Sequence, residues 1–151
     1  MVKSAGLLLY RLSSNELEVL LIHPGGPFWA KKDLGAWSIP KGEFDDDENA
    51  LDAAIREMEE ESGKKVEGNF IELTPVRIKS GKTIYAWAIE NEFDPADLKS
   101  NFFEIEWPPK SGIKKSFPEV DKAEWFKVDE AKVKINAGQV PLIVELERKI
   151  K

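Results

Sequence analysis

The sequence predicts an α/β fold in which a β-sheet lies between layers of α-helices. Extended apolar segments occur both before and after a long helical segment in the first half of the chain, and another helical segment ends the chain. Because an apolar sheet face must be covered by another layer, strands on both sides of a helix favour this arrangement. The length of 151 residues fits one domain, which we expect to span residues 1–151.

The first 43 residues are predicted to form two strands, a loop and a short extended segment. Residues 4–12 and 17–23 are rich in aliphatic side chains and flank a polar turn, as in a hairpin. Residues 24–37 combine glycine, proline and aromatic residues, which is typical of an irregular loop. Pro40 disfavours a helical conformation at the residue before it, so residues 38–43 are predicted to be extended.

A helix is predicted from about Glu48 to Ser62. The aspartates at 45–47 are expected to supply its N-cap and its first-turn acids, and Gly63 stands where a helix C-cap glycine belongs. At about 100° per residue, three apolar side chains fall on one side of this helix and are predicted to face the core. They are Leu51, Ile55 and Met58.

Three more strands are predicted after the helix, at residues 69–78, 83–89 and 123–128. The first two flank the turn sequence KSGK and are expected to form a hairpin. Residues 99–118 are polar and contain prolines, so they are interpreted as a long loop.

Two helices are predicted to end the chain, at residues 129–135 and 140–150. The second has an apolar stripe. Its members are Leu142, Ile143, Leu146 and Ile150.

Negative charge is concentrated in one short stretch. Residues 43–61 contain ten acidic residues and one arginine, a net charge of −9, so the rest of the chain sums to +3 within a total of −6. This local acidity argues against a general nucleic-acid-binding protein, which needs a basic face. It is compatible with a phosphate-bearing small molecule that is bound through a metal ion and scattered lysines.

The sequence has no cysteine, which excludes disulfides and thiolate chemistry. No apolar run reaches the length of a signal peptide or a membrane span. We therefore expect a cytoplasmic protein without a membrane partner.

The carboxylates of the acidic helix divide into two groups on a helical wheel. Glu48, Asp52 and Glu59 lie on a solvated side, whereas Glu57, Glu60 and Glu61 lie together. The second group shares its sector with small residues, which are expected to leave space above the carboxylates. These are Ala50, Ala53 and Ala54.

Converging carboxylates repel one another, and a hard cation such as Mg²⁺ removes that conflict. Arg56 lies four residues before Glu60 and is placed to bind its carboxylate. From this geometry alone, a metal site and an ordinary acidic helix surface remain open as interpretations.

The spacing of the fixed residues resembles the Nudix box, the signature of the Nudix hydrolase superfamily. From Gly42, the pattern runs through Glu48, Arg56-Glu57, Glu60-Glu61 and Gly63, with the apolar Met58 in between. All seven fixed positions match. One position departs, because Lys64 follows the last glycine where the family has an aliphatic residue, and Val66 is a candidate to replace its packing.

This resemblance implies the Nudix fold, a mixed β-sheet sandwiched between α-helices. It also implies a hydrolase that uses Mg²⁺ or Mn²⁺ to cleave a nucleoside diphosphate linked to another moiety. The implied metal ligands are the backbone carbonyl of Gly42 and the carboxylates of Glu57, Glu60 and Glu61. Arg56 is expected to orient Glu60, with Glu48 as a supporting residue. Glu119 is a candidate for an extra catalytic carboxylate from outside the box, or else an ordinary loop acid.

The segments GAWSIPKGE and KTIYAWAIE look most like the dinucleoside polyphosphate hydrolase branch, and the chain also resembles a group of bacterial Nudix proteins. The substrate alternatives are a nucleoside triphosphate, a nucleotide sugar and the 5′ end of an RNA. A different class is a Nudix-fold module that senses a nucleotide without cleaving it. The protein is expected to be a monomer or a homodimer.

Lysines and aromatic residues are the candidates for substrate binding. Lys41, beside Gly42, is placed for a phosphate, and Lys31, Lys32 and, more weakly, Lys82 are further candidates. Trp29, Trp37, Tyr85 and Phe103 are candidates to stack on a base. His23, the sole histidine, is interpreted as structural, positioning the loop that follows it.

Overall fold

The computed structural model describes residues 2–150, and its strands fall into two sheets. The strands are β1 (Lys3–Ser13), β2 (Glu16–Pro24), β3 (Lys41–Glu43), β4 (Ile71–Glu72), β5 (Val76–Arg77), β6 (Thr83–Glu90), β7 (Phe102–Glu106), β8 (Lys114–Pro118) and β9 (Val120–Lys127). The helices are α1 (Ala50–Ser62), α2 (Val128–Lys134) and α3 (Val140–Lys149), with short 3₁₀ turns at Pro95–Asp97 and Ala137–Gln139.

The main sheet is mixed and has the order β4-β6-β1-β2-β9, with β3 added to β1 and β5 added to β6. β1 runs parallel to β6 and antiparallel to β2 and β3. The pairing of β3 with β1 places Gly42 opposite Ala5 and Glu43 opposite Ser4. The mixed sheet predicted from the resemblance is therefore confirmed.

Two apolar clusters lie on opposite faces of this sheet. On one face, α1 packs its buried Ala53, Ala54 and Met58 against β1 and β2. On the other face, α2 and α3 bury aliphatic side chains, including Leu142 and Leu146, against the sheet and Trp37. The sandwich of helices around the sheet is confirmed, and the burial of Val66 at 4% exposure fits its predicted packing role beside Lys64.

The predicted start of the acidic helix is wrong. The helix begins at Ala50, and the N-cap is Asn49, whose side chain accepts from the backbone N–H of Asp52. The aspartates at 45–47 therefore precede the N-cap. Gly63 is the C-cap, as predicted, in a left-handed conformation with φ 74°.

The predicted open space around the helix alanines is also wrong. Ala53 and Ala54 are 0% and 1% exposed because they form the surface by which α1 packs on the sheet. Their small size brings the helix close to the strands and does not leave a gap above the carboxylates.

The interpretation of residues 99–118 as a long loop is wrong as well. Strands β7 and β8 form an antiparallel hairpin in a sheet of their own, with Phe103 opposite Phe117 and Glu106 opposite Lys114. Pro108 and Pro109 lie in the connection between the strands, whereas Pro118 is the last residue of β8. The predicted strand 69–78 is divided into β4 and β5, whereas the hairpin between β5 and β6 is confirmed.

Within residues 2–150, no helix is both long enough and apolar enough to cross a membrane.

Candidate active site

A cleft of about 400 Å³ lies where β3, the second half of α1 and the ends of the β7–β8 hairpin meet. Its lining is strongly polar and carries both signs of charge. The lining residues are Ser4, Lys41, Gly42, Glu43, Glu57, Glu60, Glu61, Lys82, Asn101 and Glu119. Seven of these are acidic or basic, so the cleft is suited to a charged ligand.

Gly42 and Glu57 come into close contact at the floor of the cleft. A Cβ added at Gly42 would lie 2.1 Å from the carboxyl carbon of Glu57. Any other residue at 42 would therefore displace that carboxylate. Because Gly42 has no side chain, its backbone lies close to the Glu57 carboxylate. Two groups that bind the same ion must lie this close together.

Arg56 connects the carboxylates of the helix to Glu48. Its guanidinium donates two hydrogen bonds to Glu48, from Nε at 2.8 Å and from Nη2 at 3.0 Å. Nη1 donates to Glu57 at 3.1 Å and to Glu60 at 3.3 Å. The two-point contact lowers the pKa of Glu48 and raises that of Arg56, so this pair stays charged.

Glu61 has an unpartnered oxygen inside the protein. Its Oε2 is buried and has no hydrogen-bond partner among residues 2–150. Burial, and then the charges of Glu57, Glu119 and Glu60, raise the pKa of Glu61 to about 7, an effect that Lys41 partly offsets. Burial is also the main cause of the raised pKa of Glu57. Buried acids with raised pKa values often mark functional sites.

These side chains have the chemistry of a site for a hard cation. Carboxylate and backbone carbonyl oxygens are the ligands that Mg²⁺ and Mn²⁺ prefer, and the unpartnered Glu61 oxygen needs a positive partner. Among residues 2–150, no three acidic or imidazole side chains form a ready-made ligand set. Glu57 and Glu60 instead accept hydrogen bonds from Arg56.

Two lysines bring positive charge to the cleft. Burial, and then the charge of Lys82, lower the pKa of Lys41. Lys82 lies 3.6 Å from Glu43. Lys41 and Lys82 thus place cations in the same cleft as the carboxylates, which is the arrangement expected for a phosphate next to a metal site.

The predicted substrate-binding residues lie in different parts of the structure. Lys41 lines the cleft, but Lys32 does not, and the Lys32 ammonium lies 5.1 Å from the ring centre of Trp29. Tyr85 is half-buried, with its ring 5.8 Å from that of Phe44. Trp37 is 2% exposed and belongs to the core, contrary to the prediction that it contacts a substrate.

His23 has the structural position that was predicted for it. It is 1% exposed, and its Nε2–H donates to the carbonyl of Lys32 at 2.6 Å. Its Nδ1 pairs with Asp121 at 2.8 Å. The imidazole therefore connects the start of β9 to the loop at residues 24–37.

Glu119 lines the cleft together with the glutamates of the helix. Its N–H donates to the carbonyl of Asn101, and its own carbonyl accepts from the N–H of Gly25. Asn101 and Ser4 were missed by sequence reasoning, although both line the cleft and the buried Ser4 Oγ has no partner among residues 2–150. No local signal marks these two, because strand pairing brings them to the cleft.

Comparison with known proteins decides the family. A model described as the NUDIX domain matches residues 3–146. The chain belongs to the Nudix family.

Curated relatives of this Nudix chain include the rat protein named bis(5′-nucleosyl)-tetraphosphatase [asymmetrical], which is 31% identical over 101 residues. That match covers 59% of this chain and 65% of the rat protein, so it spans slightly less than two thirds of the relative's length.

Solved structures show the same fold. A binary complex of the Ap4A hydrolase from C. elegans has a TM-score of 0.68 at 22% identity, covering 97% of each chain. The NUDIX domain of NrtR from Shewanella oneidensis, solved with ADP ribose, has a TM-score of 0.66 at 16% identity. It covers 100% of this chain and 89% of that one.

Proposed function

We propose that the protein is a Mg²⁺- or Mn²⁺-dependent Nudix pyrophosphohydrolase whose substrate is a dinucleoside polyphosphate. The observation that carries the proposal is the cleft in which Gly42, Glu57, Glu60 and Glu61 lie together, with a buried, unpartnered oxygen on Glu61. The names of the curated relatives support the choice of substrate. We also propose that residues 1–151 form one domain that works in the cytoplasm.

The metal would be held by the carboxylates of Glu57, Glu60 and Glu61 and by the backbone carbonyl of Gly42. When bound, it supplies charge neutralisation on the phosphates and lowers the pKa of a coordinated water. Arg56 has a positioning role, since it donates to both Glu57 and Glu60 while Glu48 fixes its guanidinium.

Proton transfer is assigned to a carboxylate that lines the cleft. Glu61 is one candidate for the general base, because its carboxylate lines the cleft beside the other proposed metal ligands. Glu119 is the second candidate, because it lies in the same cleft and its charge contributes to the raised pKa of Glu61.

Lys41 and Lys82 are assigned to the phosphate chain. Both line the cleft, and the Lys41 ammonium makes no hydrogen bond or ion pair within the described residues 2–150, so it is available to a ligand. Cations beside the carboxylates hold the negatively charged phosphates in place and stabilise charge that develops on them during cleavage.

The first test is a substrate panel with Mg²⁺. Diadenosine tetraphosphate, ATP, a nucleotide sugar and a 5′-triphosphorylated RNA are compared by kcat/KM with the wild-type protein. We expect the highest value for diadenosine tetraphosphate. If it proves the poorest substrate, the proposed substrate class is wrong.

The second test separates an enzyme from a nucleotide-sensing module. Glu60→Gln is expected to lower kcat by more than about 100-fold, because loss of a metal ligand should exceed the effect of losing a supporting group. Glu59→Gln is the matched control, since Glu59 is an exposed neighbour on the same helix and does not line the cleft. Unchanged turnover in Glu60→Gln overturns the metal-ligand assignment, and nucleotide binding without cleavage in the wild type supports the sensing module.

A further inference from the structure

The β7–β8 hairpin extends directly from the candidate active site. Its two ends, Asn101 and Glu119, both line the cleft, and the N–H of Glu119 donates to the carbonyl of Asn101 at 2.8 Å. The hairpin strands pair only with each other among the strands of residues 2–150. The hairpin is therefore a continuation of one wall of the cleft and is separate from the main sheet.

One face of the hairpin is aromatic and packs on the loop at residues 24–37. Because side chains alternate along a strand, Phe103 and Trp107 share a face, and Phe117 lies opposite Phe103 with the two rings 6.2 Å apart. A Cβ added at Gly26 would lie 2.8 Å from the Phe103 ring, so the loop meets this face without a side chain between them. Further along, the Phe28 ring packs edge-to-face on Trp107 at 5.5 Å.

This contact leaves a large aromatic surface exposed. Phe28 is 56% exposed and Trp29 is 40% exposed. We call Phe28, Trp29 and Trp107 the aromatic wall. Exposed aromatic groups on a protein surface mark candidate binding sites, and the hairpin that carries Trp107 has both of its ends in the cleft.

Positive charge accompanies the aromatic wall. The Lys32 ammonium lies 5.1 Å from the centre of the Trp29 ring, and Lys31 beside it is exposed. Lys115, on the same face of the hairpin as Trp107, is also exposed. Aromatic rings interleaved with cations bind nucleotides, because bases stack on the rings and phosphates pair with the lysines.

The aromatic wall is within reach of a substrate bound in the cleft. Trp107 lies six positions after Asn101 in the chain, which is at most about 20 Å when the chain is extended. A dinucleoside polyphosphate has a nucleoside at each end of its phosphates. A nucleoside that leaves the cleft beside the hairpin meets the aromatic wall.

We propose that the aromatic wall binds the base of the second nucleoside of a dinucleoside polyphosphate, and so selects substrates with two nucleosides over mononucleotides. This inference rests on the proposed function, since it takes the cleft as the site of the phosphates. The hairpin and the loop at residues 24–37 together then form the specificity element of the enzyme.

The test compares diadenosine tetraphosphate with ATP, using Mg²⁺, in Trp107→Ala and Phe28→Ala. Loss of one stacking ring is expected to raise KM for the dinucleotide by roughly 5- to 100-fold, with kcat unchanged and with KM for ATP unchanged. Trp107→Phe should restore most of the affinity. Phe102→Ala is the matched control, because Phe102 is 66% exposed on the opposite face of the same hairpin.

Binding of both nucleotides is also measured by calorimetry, and the mass of each variant by sedimentation. If the wild-type protein cleaves the dinucleotide and both alanine variants have the wild-type KM for it, the proposed role of the aromatic wall is wrong, whereas the proposed function still holds. A wild-type protein that neither cleaves nor binds the dinucleotide overturns both. If KM rises equally for the two substrates, or if the variants change only the oligomeric state, the second-nucleoside role is wrong. Phe28 lies in an exposed loop, so Phe28→Ala keeps the test valid should Trp107→Ala fail to fold.

Discussion

Helices α1 and α3 cover opposite faces of one sheet, but they bury side chains of very different size. α1 contacts the sheet through Ala53, Ala54 and Met58, whereas α3 buries Leu142, Ile143 and Leu146. Small interface residues let a helix lie close to a sheet, and large aliphatic ones hold it further away while burying more apolar area.

This difference in side-chain size gives the two helices different roles, one at the candidate active site and one in the core. The close approach of α1 brings Glu57 against Gly42 of β3, where no Cβ would fit. α3 contributes no residue to the lining of the cleft, and its buried face serves the core. We therefore expect substitutions in the buried face of α3 to affect the stability of the fold, and substitutions at the contact between α1 and β3 to affect the candidate active site.

The largest effect is expected for Leu142→Ala in α3. Leu142 is 0% exposed, so the truncation leaves a cavity and should lower the free energy of unfolding by about 2–5 kcal/mol. Urea unfolding measures this loss. Turnover per folded molecule should stay at the wild-type value, and a specific loss of turnover would contradict the separation of roles.

The next largest effect is expected for Ala54→Leu in α1. Extra methylene groups at a position with 1% exposure overpack the interface and should cost about 1–3 kcal/mol of stability. Because the helix must move away from the sheet, kcat should also fall in the molecules that remain folded. Val144→Leu on the solvent side of α3, where Val144 is 38% exposed, is the control and should change neither quantity.

Gly42→Ala tests the contact between β3 and α1 directly. The new Cβ meets the end of the flexible Glu57 side chain, so the carboxylate moves while the backbone stays in place. We expect kcat to fall by about 10- to 100-fold, or about 1.4–2.7 kcal/mol in activation free energy. The thermal midpoint should change little. A large loss of stability with normal turnover in the folded fraction would show that Gly42 serves the fold alone.

The smallest effect is expected in the pH dependence of stability. The pKa of Glu61 is raised from 4.5 to about 7, so the folded, metal-free protein holds a proton that the unfolded chain loses at lower pH. This contribution to stability is complete below about pH 4.5 and is lost as the pH rises through about 7.

Glu61→Gln removes this ionisation. Between about pH 4.5 and 7, the metal-free variant should lose less stability than the wild type, by on the order of 1 kcal/mol. Urea unfolding at several pH values, with chelator present, measures the difference. Asp52→Gln is the control, since Asp52 is exposed and lies outside the cleft. Parallel pH profiles for wild type and Glu61→Gln would contradict the assignment of the raised pKa to Glu61.

Local patterns in the sequence predicted the elements that depend on neighbouring residues. The strands β1, β2, β6 and β9 and the helices α2 and α3 follow from apolar periodicity, and the α1 C-cap follows from Gly63. The hairpin at β7–β8 was missed because β8 is mostly polar and charged and because prolines lie in the connection between the strands. The N-cap was misplaced because three aspartates compete with Asn49 for the same local role.

The spacing of acids and glycines from Gly42 to Gly63 was enough to indicate the family and the candidate metal ligands. These residues lie within one short segment, so their pattern can be recognised without the tertiary structure. Only the tertiary structure decided which groups meet those ligands. Strand pairing brings Ser4 and Lys82 to the cleft, and the hairpin brings Asn101 and Glu119. The tertiary structure also showed that the alanines of α1 pack against the sheet and do not border an open space. The burial of a residue depends on which elements fold against it, so the residue type alone does not determine it.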